Sequence, residues 1–342
     1  MKRTIALGTA ALLASTSLAS AEGVVNLYNW GNYTSPEMLE KFTAETGITV
    51  NVTDFDSNDT ALARVRQGGH GFDIVVPTHS YLETWINEGL LMPLDKSIVV
   101  NHGNIAPEWT DVPFDPGREY SVPWQWGTTG ITVDTAVYDG NINTADIVFN
   151  PPEELKGKIN VVPEMSDVMA IAIYHAGGES CTEDMEVMRK VRDTLVAAKP
   201  HWKAMDYSTV ENFASGDFSA GIGWNGATMR ARFQRDTVAY GYPETGFPVW
   251  MDNAAVLADA QNPENAMKFI NFILEPENAA MLSNFARYAN GVAESDEFLS
   301  EDMQGAPELT IPEDLVSAGK FSEACPQAVN DLQSQIWTEL LQ

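Results

Sequence analysis

Apolar positions recur along the chain with two periods, and together they predict alternating strands and helices. Val24-Val25-Asn26-Leu27-Tyr28 opens as a strand. Met38, Leu39 and Phe42 then mark one face of a helix over 35–46, started by Ser35-Pro36-Glu37 and stopped by Gly47. Ile48 to Val52 alternates as a second strand, and Leu62 and Val65 mark a second helix over 59–67. Phe72 to Pro77 reads as a short buried strand, and Thr78-His79-Ser80 caps a third helix through Trp85 to Gly89. This β-α-β-α-β-α order predicts an α/β fold with a mainly parallel sheet covered by helices on both faces.

Further along, Tyr120 to Val133 is a β run through a Gly-rich patch and predicts the first crossing between two domains. A strand entry follows at 155–163, then helices over 166–176 and 182–198. Ser208 and Glu211 have the spacing of a capping box. Phe218 to Trp224 reads as a strand, and Val249 to Leu257 as the return crossing. Helices over 263–274, 276–285 and 328–341 complete the chain. Ahead of all this stand Lys2 and Arg3, the apolar run Ile5 to Leu18, and Ala19-Ser20-Ala21. That order predicts a signal peptide over 1–21, cleaved after Ala21, and hence export to the periplasm. The apolar run is too short to span a bilayer, and no Cys follows it to carry a lipid anchor. The remaining chain is long enough for two domains.

Charge narrows the partners. The formal net charge is −28, and loss of Lys2 and Arg3 with the leader takes it to −30. Such a surface opposes nucleic acid and anionic membranes and favours cations, although plain solubility would explain the same excess. The two cysteines, Cys181 and Cys325, are either a disulfide closing a long loop or two free thiols. Neither has a neighbouring base that would make it a nucleophile.

Catalytic and metal motifs are missing. There is no G-x-S-x-G, H-E-x-x-H, Walker loop or dinucleotide fingerprint, and the five His are scattered. Asp54-x-Asp56-x-Asn58 begins like a calcium loop, but Asp59 stands where Gly is needed and Val65 where the bidentate Glu belongs. No metal or cofactor is expected. What stands out is aromatics beside acids at strand-to-helix junctions: Trp30 with Tyr33, Trp124 with Trp126, Trp224, and Trp250 with Asp252. Glu164 and Asp167, three apart after the strand at 159–163, can line one helix entry, or simply start a solvated helix. A buried ammonium group needs carboxylates, and its methylene chain needs flat apolar walls whose π-faces also attract the charge. Aromatic faces plus separated acids therefore suit a long, thin polycation. Core packing competes for every one of these rings, and Trp85 and Trp126 are assigned to packing.

Nearly end to end, the chain resembles the periplasmic spermidine/putrescine-binding proteins of ABC importers. The resemblance rests on Asn29-Trp30-x-x-Tyr33, Phe55-Asp56-Ser57-Asn58, Phe72 to Pro77 and Pro93-Leu94-Asp95-Lys96-Ser97. It continues in Trp126-Gly127-Thr128-Thr129-Gly130-Ile131, Gly221 to Gly226, Trp250-Met251-Asp252 and Tyr288-Ala289-Asn290. It implies a two-lobed, type II-like periplasmic-binding-protein fold hinged by crossing segments, with domain 1 at 22–131 plus 257–305 and domain 2 at 132–256 plus 306–342. It implies a monomer that catalyses nothing, captures a polyamine, and hands it to the membrane permease of an ABC importer. By the same resemblance, Trp30, Tyr33, Trp224, Trp250 and Tyr288 sandwich the carbon chain. Glu164, Asp167 and Asp252 pair its ammonium groups, and Thr78, Ser80 and Ser208 add hydroxyl contacts. Ala227 follows the spermidine type and Ser80 the putrescine type, so the polyamine is left open. A late contact falls to Gln327 or Glu323. A same-fold binder of a quaternary ammonium osmolyte and a secreted enzyme are the alternatives.

Overall fold

The computed structural model describes residues 23–321 and 324–342, so the leader and Glu323 lie outside the described residues. The first part follows the predicted order: β1 (Gly23–Trp30), α1 (Pro36–Thr46), β2 (Ile48–Phe55), α2 (Asn58–Arg66), β3 (Ile74–Val75) and α3 (His79–Asn87). Ser35 caps α1 by accepting from Met38 N, and Gly47 closes it at φ 71°, a conformation that a side chain would strain. A long strand follows, β4 (Ser121–Asp134), then α4 (Asp146–Phe149), β5 (Ile159–Val161), α5 (Met165–His175) and α6 (Met185–Ala198). Next come β6 (Trp202–Met205), α7 (Thr209–Ser215), β7 (Ala220–Trp224), α8 (Asn225–Arg232) and β8 (Val238–Gly241). The chain ends with β9 (Phe247–Val256), α9 (Pro263–Ile273), α10 (Pro276–Ala286), β10 (Gly319–Phe321) and α11 (Gln327–Leu341).

The strands run in the order β2-β1-β3-β9-β4-β7-β5-β6. The wings are parallel: β1 pairs with β2 and β3, and β5 with β6 and β7. Between them the long strands β4 and β9 pair antiparallel, and each joins its wing antiparallel as well. β4 therefore carries the chain across and β9 brings it back. Val122 and Trp124 of β4 sit in one hydrophobic cluster with β1, α1, α3 and α9, while Ile131 and Val133 sit in a second with β5, α5, α6 and α11. Trp224 touches both clusters.

Two local expectations change. The strand expected over 72–77 shrinks to Ile74–Val75, because its flanks serve other bonds. Asp73 is engaged by Asn26 and Asn262, and Val76 gives its carbonyl to a Trp30 side chain. The capping box at Ser208 does not form. Ser208 N donates to Asp206 Oδ1 at 2.6 Å, and Glu211 instead accepts from Asn32 Nδ2 at 3.2 Å. Cys181 and Cys325 are joined as a disulfide across 144 positions, tying the α5–α6 connection to the start of α11.

Candidate functional site

The β1–α1 junction supplies the first wall. Trp30 ends β1 and is buried, its indole Nε1 donating to Val76 O at 3.0 Å. That bond satisfies the indole N–H within the protein and leaves the ring face for packing or ligand. Tyr33, three residues on, meets Tyr288 edge-on, with ring centroids 5.4 Å apart. Trp250, on β9, is held by Nε1 donating to Thr129 Oγ1 at 3.0 Å and stands 5.3 Å from Tyr288. Two glycines make room for these rings. A methyl on Gly127 would lie 2.9 Å from the Trp250 ring, and one on Gly226 would lie 2.6 Å from Tyr288.

The acids arrive from the other side. Glu164 is the N-cap of α5 and accepts from Ser166 Oγ at 2.7 Å, while its other oxygen takes Asn58 N at the start of α2 at 3.1 Å. Asp167 lies in the first turn of the same helix and accepts from Trp224 Nε1 at 2.8 Å. Asp252 on β9 accepts from Thr78 Oγ1 at 2.7 Å. Thr78 does not cap α3 with its side chain, because Asn58 holds it facing Asp252.

These carboxylates are hard to ionise. Burial pushes Glu164 up to about 8, and the charge of Asp167 adds to it. Burial raises Asp252 to about 7 against the opposing bond from Thr78. Asp167 reaches only about 6, because Trp224 and Thr129 offset part of its burial. Asp252 in turn helps hold the Tyr33 hydroxyl well above its usual range, after burial itself. Among the described residues, no Lys, Arg or His is among the charges acting on the three acids.

All of these groups line one cavity of about 690 Å³ counted to its mouth. Trp30, Tyr33, Trp224, Trp250 and Tyr288 form its aromatic walls, and Thr78, Ser80, Glu164, Asp167 and Asp252 its polar ones. Ser208 is the exception. It lies outside this cavity and faces an outer recess with Asp54 and Asp56, since the Asp206 bond holds its backbone there. Gln327 lines a side chamber next to the disulfide and not the cavity. Sequence reasoning missed Tyr207, Thr209, Glu211 and Arg230, which line the cavity from α7, its entry and α8. Tyr207 packs on Trp224 at 5.2 Å and donates to Gly31 O at 3.1 Å. An aromatic two residues before a helix start was the only signal for it. Among the described residues no group of His, Cys, Asp and Glu is arranged to hold a metal, and no helix is long and apolar enough to cross a membrane.

Two α/β halves joined by long strands, with a lined cleft between them, define a ligand-binding clamp. The family model for bacterial extracellular solute-binding proteins matches residues 37–311, and the chain belongs to that family. The spermidine/putrescine-binding periplasmic protein of Salmonella typhimurium is 31% identical over 93% of this chain and 91% of its own. The putrescine-binding periplasmic protein SpuD of Pseudomonas aeruginosa is 28% identical over 99% of this chain and 97% of its own. Among solved structures, a putative spermidine/putrescine ABC transporter from Listeria monocytogenes superposes with a TM-score of 0.86 at 29% identity, covering 93% of this chain and 98% of that one.

Proposed function

We propose that the chain is an extracytoplasmic polyamine-binding protein, which captures a di- or triamine in its cleft and delivers it to the permease of an ABC importer. The observation that carries this reading is three buried, proton-holding carboxylates within aromatic walls, none of them ion-paired with a Lys, Arg or His among the described residues. A ligand bearing two or more ammonium groups supplies those cations, and its methylenes lie between Trp30, Trp224 and Trp250. Asp252 grips one ammonium, while Glu164 and Asp167 share another. The lobes, taken as 22–131 with 257–305 and 132–256 with 306–342, close on it about β4 and β9. Tyr207, Asn32 and Asn58 bridge the cleft in the closed form. The names of the relatives support both the amine and the transporter. A leader over 1–21, cleaved after Ala21, supports export to the periplasm, and the protein acts there as a monomer. A quaternary ammonium would need the cage but not three acids.

Calorimetry with putrescine, spermidine, spermine and glycine betaine tests this, on protein freed of bound ligand by unfolding and refolding. The expected result is saturable binding of the di- or triamine and none of betaine; tighter binding of betaine overturns the reading. Ligand recovered unchanged after prolonged incubation is the expected outcome for a binding protein without catalytic activity.

A further inference from the structure

One end of the cleft carries a charge that a site built only for ammonium groups should lack. Arg230, on α8, lines the same cavity as the three carboxylates. Its Nη1 donates to the Asn32 carbonyl at 2.8 Å, its guanidinium also bonds the Tyr288 hydroxyl, and its Nε is buried with no hydrogen-bond partner. No carboxylate among the described residues forms an ion pair with it; Arg232, two residues on, takes Glu308 instead. Glu211, which also lines the cavity, is exposed at the rim and bonded to Asn32 Nδ2. Thr209, at the start of the neighbouring α7, lines the cavity with a hydroxyl that is buried and unpartnered. The electrostatic neighbours order the cleft. Glu164 and Asp167 act on Tyr81, Asp252 and Arg230 both act on Tyr288 and Tyr207, and Asp167 acts on Asp252 between them.

A guanidinium does not deprotonate at any physiological pH, so it repels a third ammonium brought up beside it in a desolvated cleft. Its unused N–H and the Thr209 hydroxyl are instead free donors, which call for an acceptor oxygen. We propose that the Arg230 end of the cleft binds the carbonyl oxygen of an acylated amine. The preferred ligand is then a polyamine acylated on one terminal nitrogen, with its remaining ammonium groups on the carboxylates. This rests on the amine-capture reading above. A carboxylate-bearing amine offers the same acceptor, but with one ammonium it leaves carboxylates unpaired.

Calorimetry on the refolded protein decides between them, using putrescine, spermidine, N1-acetylspermidine and 4-aminobutanoate against wild type, Arg230→Met, Arg230→Lys and Thr209→Val. In wild type, N1-acetylspermidine is expected to bind at least tenfold more tightly than spermidine. Arg230→Met should bring that ratio to about one. Arg230→Lys, which keeps the charge, should still disfavour spermidine, and Thr209→Val should weaken the acetylated ligand more than putrescine. Should Arg230→Met fail to fold, the last two variants carry the test. Equal loss for every ligand on substitution of Arg230 overturns the proposal and leaves this side chain a clasp on Asn32. Tightest binding of 4-aminobutanoate overturns it in favour of a carboxylate ligand. Failure of wild type to bind any amine overturns the parent reading, whereas amine binding without preference for the acetylated form overturns this proposal alone.

Discussion

Two groups of buried acids in this molecule have nearly the same burial, yet different hydrogen-bond surroundings. Asp73 and Asp115 are 0% and 1% exposed; Glu164, Asp252 and Asp167 are 3%, 5% and 7% exposed. The difference lies in their donors. Asp73 takes the backbone N–H groups of Asn26 and Asn262 at 2.8 Å each, along with both of their side-chain amides. Asp115 takes the N–H groups of Glu119, Tyr120 and Ser121 and the Ser121 hydroxyl. Each is a carboxylate finished by the protein, and each fastens a loop to a strand. Asp252 has the Thr78 and Tyr33 hydroxyls, Asp167 the Trp224 indole and the Thr129 hydroxyl, and Glu164 the Ser166 hydroxyl with the N–H groups of Ser166 and Asn58. A buried carboxylate supplied with enough N–H groups stabilises a fold, and one left short keeps its proton until a cation arrives. Burial alone does not separate the two groups; Asp73 and Asp115 each have four donors, and the cleft acids two or three.

That contrast can be broken in order of expected effect. Asp252→Asn should weaken polyamine binding at least tenfold in calorimetry, because it leaves a buried ammonium without its charge partner, while the ligand-free protein melts no earlier than wild type at pH 8. Unaltered affinity would refute its placement as the amine grip. Asp73→Asn should do the reverse. By setting an amide against N–H donors it should cost about 1–3 kcal/mol of stability in denaturant unfolding, with affinity of the folded protein within about twofold of wild type.

The cleft acids can also be probed by pH without mutation. Glu164, Asp252 and Asp167 hold protons in the folded, ligand-free state up to about 8, 7 and 6. An unfolded carboxyl releases its proton near 4. Between those limits the folded state binds more protons than the unfolded one, so their contribution to stability falls as pH rises from about 4 to about 8. Ligand affinity should move the other way, weakening as pH falls from 8 to 6, with proton release on binding visible as a buffer-dependent enthalpy. Glu164→Gln combined with Asp252→Asn should flatten both trends relative to wild type. The smallest effect belongs to Thr129→Val. It strips the buried Trp250 indole of its acceptor at a cost of about 1–3 kcal/mol and removes the Thr129 bond from Asp167, read as a modest loss of affinity.

The order of strands and helices was legible because local rules settle it. Ser35 and Pro36 start α1 and Gly47 stops it, whatever lies beyond, and the apolar runs at 120–133 and 249–257 announced the two long strands. Trp30, Tyr33, Trp250 and the Glu164/Asp167 pair also stood out, because rings and acids at strand ends are conspicuous in one dimension. The roles of Ser208 and Glu211 did not follow from their spacing. Their capping box loses to an Asp206 bond on one side and to Asn32 on the other, the latter a partner 179 positions away. Arg230 was invisible for the same reason: on a helix with Arg232 it reads as one of two solvated cations, and only the folded chain turns one toward Glu308 and the other into the cleft. Which segments are strands and helices is settled locally, since caps, turns and periodicity act over a few residues. The surroundings of Asp73 and Asp252 emerge only on folding, because Asn262 and Thr78 reach them from far away in sequence, whereas Asp115 is served by its own neighbours at 119–121.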